Sequence, residues 1–214
     1  MSMLCLDHIR KFTDKPYELI IVDPIPKEPI RDDYHTLGLN PIDKDVTHLI
    51  FADKDPGYTG GMNAGTRIAT GNVLVFIQND VFVREGWLPD LLWYIKEGYD
   101  VVWPDQVPRD REYIKASYRR SMDDPETLKG GRDAGLMMIT KKAFDQIGGW
   151  NEKLGLLAEK DMMLNRIGKA GLKWCETNKV YITHIMAATN RDLLDKDPEE
   201  YNRRMEKDAK KLNG

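Results

Sequence analysis

Three apolar segments of the sequence each run into an aspartate, and this recurrence limits the folds that the chain can adopt. The segments are YELIIVD (17–23), THLIFAD (47–53) and VLVFIQND (73–80). Each is typical of a buried strand, and helix-like segments alternate with the strands. That alternation predicts an α/β fold with a mainly parallel sheet and helices on both faces. Because ligands bind beyond the carboxyl ends of such strands, we expect Asp23, Asp53 and Asp80 to lie along one rim.

The remainder of the chain continues the alternation and ends in a highly charged helix. The expected elements are a short helix at 63–69, a helix at 86–98, a strand at 101–103, a strand at 135–140, helices at 141–149 and 157–171, short strands at 173–175 and 180–183, and a helix at 198–212. Residues 104–133 are polar and irregular, as long functional loops often are. We therefore expect one domain over residues 1–190 and a charged helical extension over residues 191–214.

Composition argues against several classes of protein. The formal net charge is −3, so the chain has no general basic surface for nucleic acid. The two cysteines, Cys5 and Cys175, are too few for a disulfide framework and indicate a reducing setting. No apolar run reaches the roughly 20 residues of a membrane span, and charged residues interrupt the start, so no signal peptide is expected. We therefore expect a cytoplasmic protein without a transmembrane segment.

The stretch from Tyr58 to Trp87 combines a glycine-rich turn, an N-x-G helix, an apolar strand and an acidic turn. This order resembles the family 2 glycosyltransferases of the GT-A fold, which is a Rossmann-like α/β fold. Downstream, I-G-G-W-N-E (147–152) is similar to the family's acceptor-side turn. E-K-D-M-M-L-N-R (159–166) resembles the start of its base helix, and Y-I-T-H (181–184) resembles its late histidine motif. The resemblance covers about residues 4 to 190.

The resemblance implies a divalent metal ion held by Asp80 and His184. A sugar nucleotide leaves as a diphosphate, and a cation stabilises the charge that develops on its phosphates. Ligation by one carboxylate and one imidazole favours Mn²⁺ over Mg²⁺, which prefers oxygen ligands. Considered alone, Asp80 is equally well explained as an ordinary turn acid. A lone histidine after a strand, such as His184, is more often structural than a ligand.

The resemblance also implies a nucleotide sugar of the UDP or dTDP type, with rhamnose or glucose as candidate sugars. Asp23 corresponds to the family acid that contacts the nucleobase. The residues expected to contact the donor are Asp23, Asp53, Gly61, Asn63, Asn79 and Asp80. Turn chemistry and helix termination explain Gly71 better than the clustered Gly60 and Gly61. For Asn63, helix capping is an equally good explanation.

Asp161 corresponds to the catalytic base that an inverting transfer to a hydroxyl acceptor, such as a glycan, requires. Glu159 is the alternative base. Both acids also suit the first turn of a solvated helix, where the helix dipole favours negative charge. Trp150, Arg132 and Asp133 are candidate contacts for the acceptor, although a tryptophan after two glycines equally suits a hydrophobic core.

The chain departs from the family pattern at three places. The family's usual opening strand has no counterpart, Gln78 stands where D-x-D has its first acid, and Lys160 splits the usual E-D pair. Two other functions therefore stay open, a non-catalytic carbohydrate- or nucleotide-binding domain and a sugar nucleotidyltransferase. Residues 17–35 lack the phosphate loop, rich in arginine and lysine, of the latter class. The length also suits one domain of a larger multidomain enzyme.

Overall fold

A central six-stranded sheet organises the protein in a computed structural model, which describes residues 2–24, 48–52, 57–108, 119–121, 135–184 and 193–213. In chain order the strands are β1 (Ile20–Pro24), β2 (His48–Ala52), β3 (Val73–Ile77), β4 (Val81–Phe82), β5 (Val101–Pro108), β6 (Arg119–Ser121), β7 (Leu136–Thr140) and β8 (Trp174–His184). Strands β1 and β2 pair with each other in parallel, and the other six build the central sheet.

The helices follow the amphipathic segments of the sequence. They are α1 (Ser2–Phe12), α2 (Gly57–Ile68), α3 (Trp87–Lys96), α4 (Lys141–Gln146), α5 (Ala158–Asp161) and α6 (Pro198–Asn213). Helix α5 continues into a π-helical turn, Met162–Ile167. Within the described ranges, no helix combines the length and the apolar character that crossing a membrane requires.

Strand directions in the central sheet differ from the expected mainly parallel arrangement. The order is β3-β7-β5-β8-β4, with β6 also paired to β8. Among these described strands only β5 and β8 pair in parallel, and the other pairs are antiparallel. Strands β3, β5 and β8 do share one direction, as alternation with helices predicts. The difference arises because β7, a later strand, lies between β3 and β5 and runs the opposite way.

Helices cover both faces of the sheet. Side chains along β7 alternate, so that Met137 and Ile139 enter a core with α4 and α5. Leu136 and Met138 enter a second core with α1 and α3 on the other face. All four of these side chains are fully buried. The expected α/β class, with a sheet between helices, is confirmed.

Helix α2 begins earlier than the sequence suggests and takes up the glycine-rich segment. Its glycines pack against β1, where a Cβ on Gly65 would lie 3.4 Å from Val22 Cγ2 and one on Gly61 would lie 3.8 Å from Val22 Cγ1. Gly61 therefore lies inside a helix that approaches a strand closely. The expected helix at 63–69 therefore starts too late. Tertiary packing overrides the weak helix propensity of glycine, so the glycine-rich residues before it are helical as well.

Candidate active site

Asp80 and His184 meet where β3 and β8 end. Asp80 lies in the turn after β3, and Val81, which follows it, pairs with His184 in the antiparallel β4–β8 ladder. Asp80 Oδ1 and His184 Nε2 are 3.2 Å apart, and the two residues are only 6% and 1% exposed. Asp80 Oδ1 has no hydrogen-bond partner within the described part of the chain. The fold therefore brings the two candidate metal ligands together in a buried position.

Gly135, just before β7, lets the His184 ring approach the backbone closely. A Cβ at this position would lie 2.7 Å from Nδ1 and 2.9 Å from Cε1 of His184. The Gly135 carbonyl accepts a hydrogen bond of 2.9 Å from the backbone N–H of Gln78, which ties the start of β7 to the turn after β3. The imidazole of His184 therefore packs directly against the backbone of Gly135.

The spacing of Asp80 and His184 fits a shared divalent cation. Two ligands at right angles around an ion, each about 2.2 Å away, lie about 3.1 Å apart. In the part of the chain that the structure describes, no group of three or more histidine, cysteine or acidic residues suits a metal ion. A cation held by this pair would complete its coordination with water or with oxygens of a bound molecule, as Mg²⁺ does with phosphates.

Cys5 of α1 lies behind the same turn and stays neutral. Its Sγ contacts the carbonyl oxygen of Gln78 at 3.6 Å. Burial, and to a smaller extent the negative charge of Asp80, raise the pKa of the Cys5 thiol to about 12. The thiol is therefore protonated at neutral pH and places no second negative charge beside Asp80.

Gln78 links the turn after β3 to the first turn of α5. Its side-chain Nε2 donates a hydrogen bond of 2.8 Å to Glu159 Oε1. The Glu159 carboxylate is half-buried and lies beside the Gln78-Asn79-Asp80 turn. In the sequence, Gln78 is notable only because it stands where the family's D-x-D motif has its first acid. In the structure, its side-chain amide has a specific carboxylate partner, Glu159.

Asp161 directs both of its oxygens into the protein. Oδ1 accepts a hydrogen bond from Asn165 Nδ2 and Oδ2 accepts one from Arg166 Nε, each at 2.9 Å. The residue is only 6% exposed. Arg166 reaches a partner five residues earlier because the chain forms a π-helical turn at this point. The carboxylate of Asp161 is thus engaged in the support of α5.

Arg166 also fixes the turn at Gly148 and Gly149. Its Nη1 donates to the carbonyl oxygens of Ile147 at 2.9 Å and of Gly149 at 2.7 Å. The two glycines have φ values of +71° and +72°, a backbone conformation that side chains other than glycine rarely adopt. One guanidinium group therefore connects the α5 region to the turn that the sequence associates with the acceptor.

Asn63 holds the same turn from the opposite side. Its Oδ1 accepts a hydrogen bond from Trp150 N, and its Nδ2 donates to Trp150 O, both at 2.9 Å. Nδ2 also donates to Glu152 Oε1 at 2.9 Å. Asn63 lies in the middle of α2 and caps no helix end. These contacts make Asn63 a clasp between α2 and the turn, and no nucleotide is needed to explain its presence.

Trp150 is a core residue. It is 2% exposed, and its ring packs edge-on against Tyr58 and Phe76, with centroid distances of 5.5 and 5.7 Å. The expectation that Trp150 stacks on an acceptor sugar does not fit this position, because both ring faces are covered by protein.

The remaining candidates are less fully described. The Asp23 backbone pairs with Phe51 near the end of β1, and its side chain lies outside the described part. Asn79 is exposed in the turn before Asp80. Three further candidates, Asp53, Arg132 and Asp133, lie outside the described residues. Sequence analysis missed the contribution of Gly135, whose one signal was a glycine at the start of an apolar strand.

Residues 4–196 match the family described as Glycosyl transferase family 2, which is most of the chain. No curated protein sequence matches the chain.

Several solved structures share the fold at low sequence identity. GalNAc-T7 with UDP, GalNAc and Mn²⁺ has a TM-score of 0.64 and 14% identity, covering 84% of this chain and 40% of its own. Residues 1–349 of S. aureus TarS give 0.63 and 14%, covering 94% and 64%. The mannosyltransferase PcManGT from Pyrobaculum calidifontis, in complex with GDP-Man and Mn²⁺, gives 0.67 and 15%, covering 90% and 56%. The chain thus spans 40 to 64% of the length of these three proteins.

The clasp formed by Asn63 leads to a prediction about stability. Replacement Asn63→Ala leaves the N–H and carbonyl of Trp150 without their partner and should lower the free energy of unfolding by about 1–3 kcal/mol, measured by urea denaturation. Arg67→Ala is the matched control on the same helix. Its side chain is 66% exposed and 3.7 Å from Glu152, so its loss should be nearly neutral. Unchanged stability of Asn63→Ala together with weaker UDP binding would instead identify a nucleotide contact.

The close approach at Gly135 leads to a second prediction. In Gly135→Ala the new methyl group displaces the His184 ring, and Mn²⁺ should bind about tenfold or more weakly in a calorimetric titration. Gly71→Ala serves as the control, because its Cβ would meet only Val73 O at an ordinary 3.5 Å. A folded Gly135→Ala protein with wild-type Mn²⁺ affinity would remove His184 from the metal site.

Proposed function

Because the chain belongs to glycosyl transferase family 2, we propose that it moves a sugar from a nucleotide diphosphate donor to a hydroxyl group with a divalent metal ion. The observation that carries this proposal is the buried Asp80–His184 pair, 3.2 Å apart, at the edge where strands end. Such an edge is where ligands bind in open α/β sheets. The half-buried Glu159 beside the same turn adds a carboxylate suited to proton transfer.

Asp80 and His184 are the residues that would hold the metal ion. A bound Mn²⁺ or Mg²⁺ supplies positive charge to the departing diphosphate. Mn²⁺ is favoured because the pair offers one oxygen and one nitrogen ligand. Two similar structures, GalNAc-T7 and PcManGT, contain Mn²⁺, which supports the same choice. The protein's own part is to bury the two ligands and fix their separation.

The proposed donor carries UDP or dTDP. This part of the proposal depends on Asp23, which lies near the carboxyl end of β1 and corresponds to the family acid at the nucleobase. The GalNAc-T7 structure holds UDP, whereas the PcManGT structure holds GDP-Man, so a test must include purine and pyrimidine donors. The acceptor is proposed to be a glycan hydroxyl.

Of the two candidate bases, the contacts favour Glu159. An inverting transfer needs a carboxylate that reaches the acceptor hydroxyl and remains ionised. Asp161 is only 6% exposed, and its two oxygens already accept hydrogen bonds from Asn165 and Arg166, so an acceptor hydroxyl has little access to it. Glu159 is half-buried beside the metal-ligand turn. The proposal therefore assigns proton abstraction to Glu159 and support of its helix to Asp161.

The metal assignment predicts that Asp80→Ala lowers turnover by about 10²-fold or more, because a principal charge stabiliser is lost. The measurement is release of free nucleoside diphosphate from a panel of UDP-, dTDP- and GDP-sugars with Mn²⁺ and a saccharide acceptor. Asp90→Ala, an exposed acid on α3, is the control and should turn over like wild type.

Near-normal turnover of Asp80→Ala, or of the wild-type protein in excess chelator, would contradict the metal assignment. Preferential use of GDP-sugars would overturn the assignment to UDP or dTDP donors. If the wild-type protein binds nucleotides and saccharides yet releases no diphosphate from any donor, it is a binding domain instead of an enzyme.

The base assignment predicts opposite effects for two isosteric variants. Glu159→Gln should abolish transfer while the donor dissociation constant stays close to wild type, because the base acts in the transition state. Asp161→Asn should retain measurable transfer but lose roughly 2–3 kcal/mol of stability, because the ion pair to Arg166 is broken. Steady-state kinetics, calorimetry with UDP and urea denaturation separate the two. A stable, inactive Asp161→Asn beside an active Glu159→Gln would return the base role to Asp161.

A further inference from the structure

Helix α6 has one buried side chain among those described, and it is the carboxylate of Asp208. This residue is 5% exposed, whereas Tyr201, Met205 and Leu212 on the same face are half-buried. Their spacing of four, three and four residues forms the inward stripe of an amphipathic helix. A charged group in such a stripe costs free energy unless it is hydrogen-bonded. The contacts of Asp208 must therefore explain why a carboxylate occupies this place.

The partners of Asp208 are backbone N–H groups just before α5. Asp208 Oδ2 accepts hydrogen bonds from Gly155 N at 2.8 Å and from Leu157 N at 3.3 Å. Leu157 is the N-cap position of α5, and its own side chain makes no capping hydrogen bond. An ordinary N-cap serine, threonine, asparagine or aspartate accepts from the second or third N–H inside the helix, whereas Asp208 binds the two N–H groups just before it. Here the acceptor comes from a residue more than fifty positions away.

Two further contacts bind α6 to the same segment. Lys211 Nζ lies 3.8 Å from Asp208 Oδ1 and also donates to the carbonyl oxygen of Lys153. Leu212 packs against the core cluster that contains Leu154 and Ala158. The last turns of α6 therefore hold the segment from 153 to 158, which leads directly into the residue proposed as base.

We infer that Asp208 is a positioning residue for Glu159. By holding the N–H groups of Gly155 and Leu157 it fixes where α5 begins, at Ala158, one residue before Glu159. Its negative charge also suits a helix start, where the unpaired N–H groups are partly positive. This orientation keeps Glu159 Oε1 within reach of Gln78 Nε2. The inference rests on the proposed function only in the role given to Glu159. If Asp208 positions Glu159, then α6 contributes to the geometry of the proposed active site.

Amide exchange and NMR test the contact without reference to activity. In Asp208→Ala, hydrogen exchange at the Gly155 and Leu157 amides should accelerate about fivefold or more. The side-chain amide signal of Gln78 should move toward that of an exposed glutamine. Asp208→Asn keeps an acceptor oxygen and should restore most of both effects. Glu206→Ala, an exposed acid on the same helix, should change neither.

If exchange accelerates but the Gln78 signal stays in place, Asp208 only anchors α6 and the positioning role is overturned. Unchanged exchange at both amides overturns the contact itself.

Kinetics supply the readout that a merely structural role would leave unchanged. With the sugar donor that wild type uses, Asp208→Ala should lower kcat about tenfold while the donor KM and Mn²⁺ dependence stay the same. Asp208→Asn should recover most of the rate, and assays well below the melting temperature of each variant exclude unfolding. A wild-type kcat in a folded Asp208→Ala protein would overturn the inference. Absence of turnover in wild type with every donor would instead defeat the proposed function, while exchange and NMR still decide the contact.

Discussion

The contact between Asp80 and His184 depends on chain segments that meet at one edge of the central sheet. Strands β3 and β8 run in the same direction and end at this edge, and β7 begins there because it runs the opposite way. The first residue before β7 must be small, since a Cβ on Gly135 would collide with the imidazole. An antiparallel strand inserted between strands of one direction therefore brings the backbone of Gly135 against the pair Asp80 and His184.

Behind this edge, irregular segments lack the regular backbone hydrogen bonds of helices and strands. Side chains from elsewhere in the chain fix them by hydrogen bonds to their backbone. The turn at Gly148 and Gly149 receives Arg166 from one side and Asn63 from the other. The segment before α5 receives Asp208 from the end of the chain. Each of these side chains belongs to a helix or helical turn, so rigid elements determine where the loops lie. Precision at a site is greatest when its loops are fixed in this way.

Local patterns in the sequence predicted the class of the fold, and the resemblance of its motifs to a known family suggested the pair Asp80 and His184. Strand-like runs, amphipathic helices and the order of motifs are local, so they can be read without coordinates. The strand order was not readable, because whether β7 lies beside β3 or elsewhere depends on contacts between distant segments. Trp150 and Asn63 were each open to two interpretations in the sequence for the same reason, since only tertiary packing separates a core ring or a backbone clasp from a ligand contact. The Asp208 contact spans more than fifty residues and left no motif.

The amide at Gln78, which departs from the family's acidic motif, is consistent with its contact to Glu159. The two side chains approach to 2.8 Å, a distance at which a carboxylate in place of the amide would repel the ionised form of Glu159. One of two such acids would then take up a proton, and the pair would share a single negative charge. A neutral donor avoids this conflict, because its N–H group stabilises the ionised carboxylate that a base requires. In the metal site proposed above, an amide at Gln78 also means one carboxylate fewer in the turn, and the buried imidazole of His184 would be the second ligand beside Asp80.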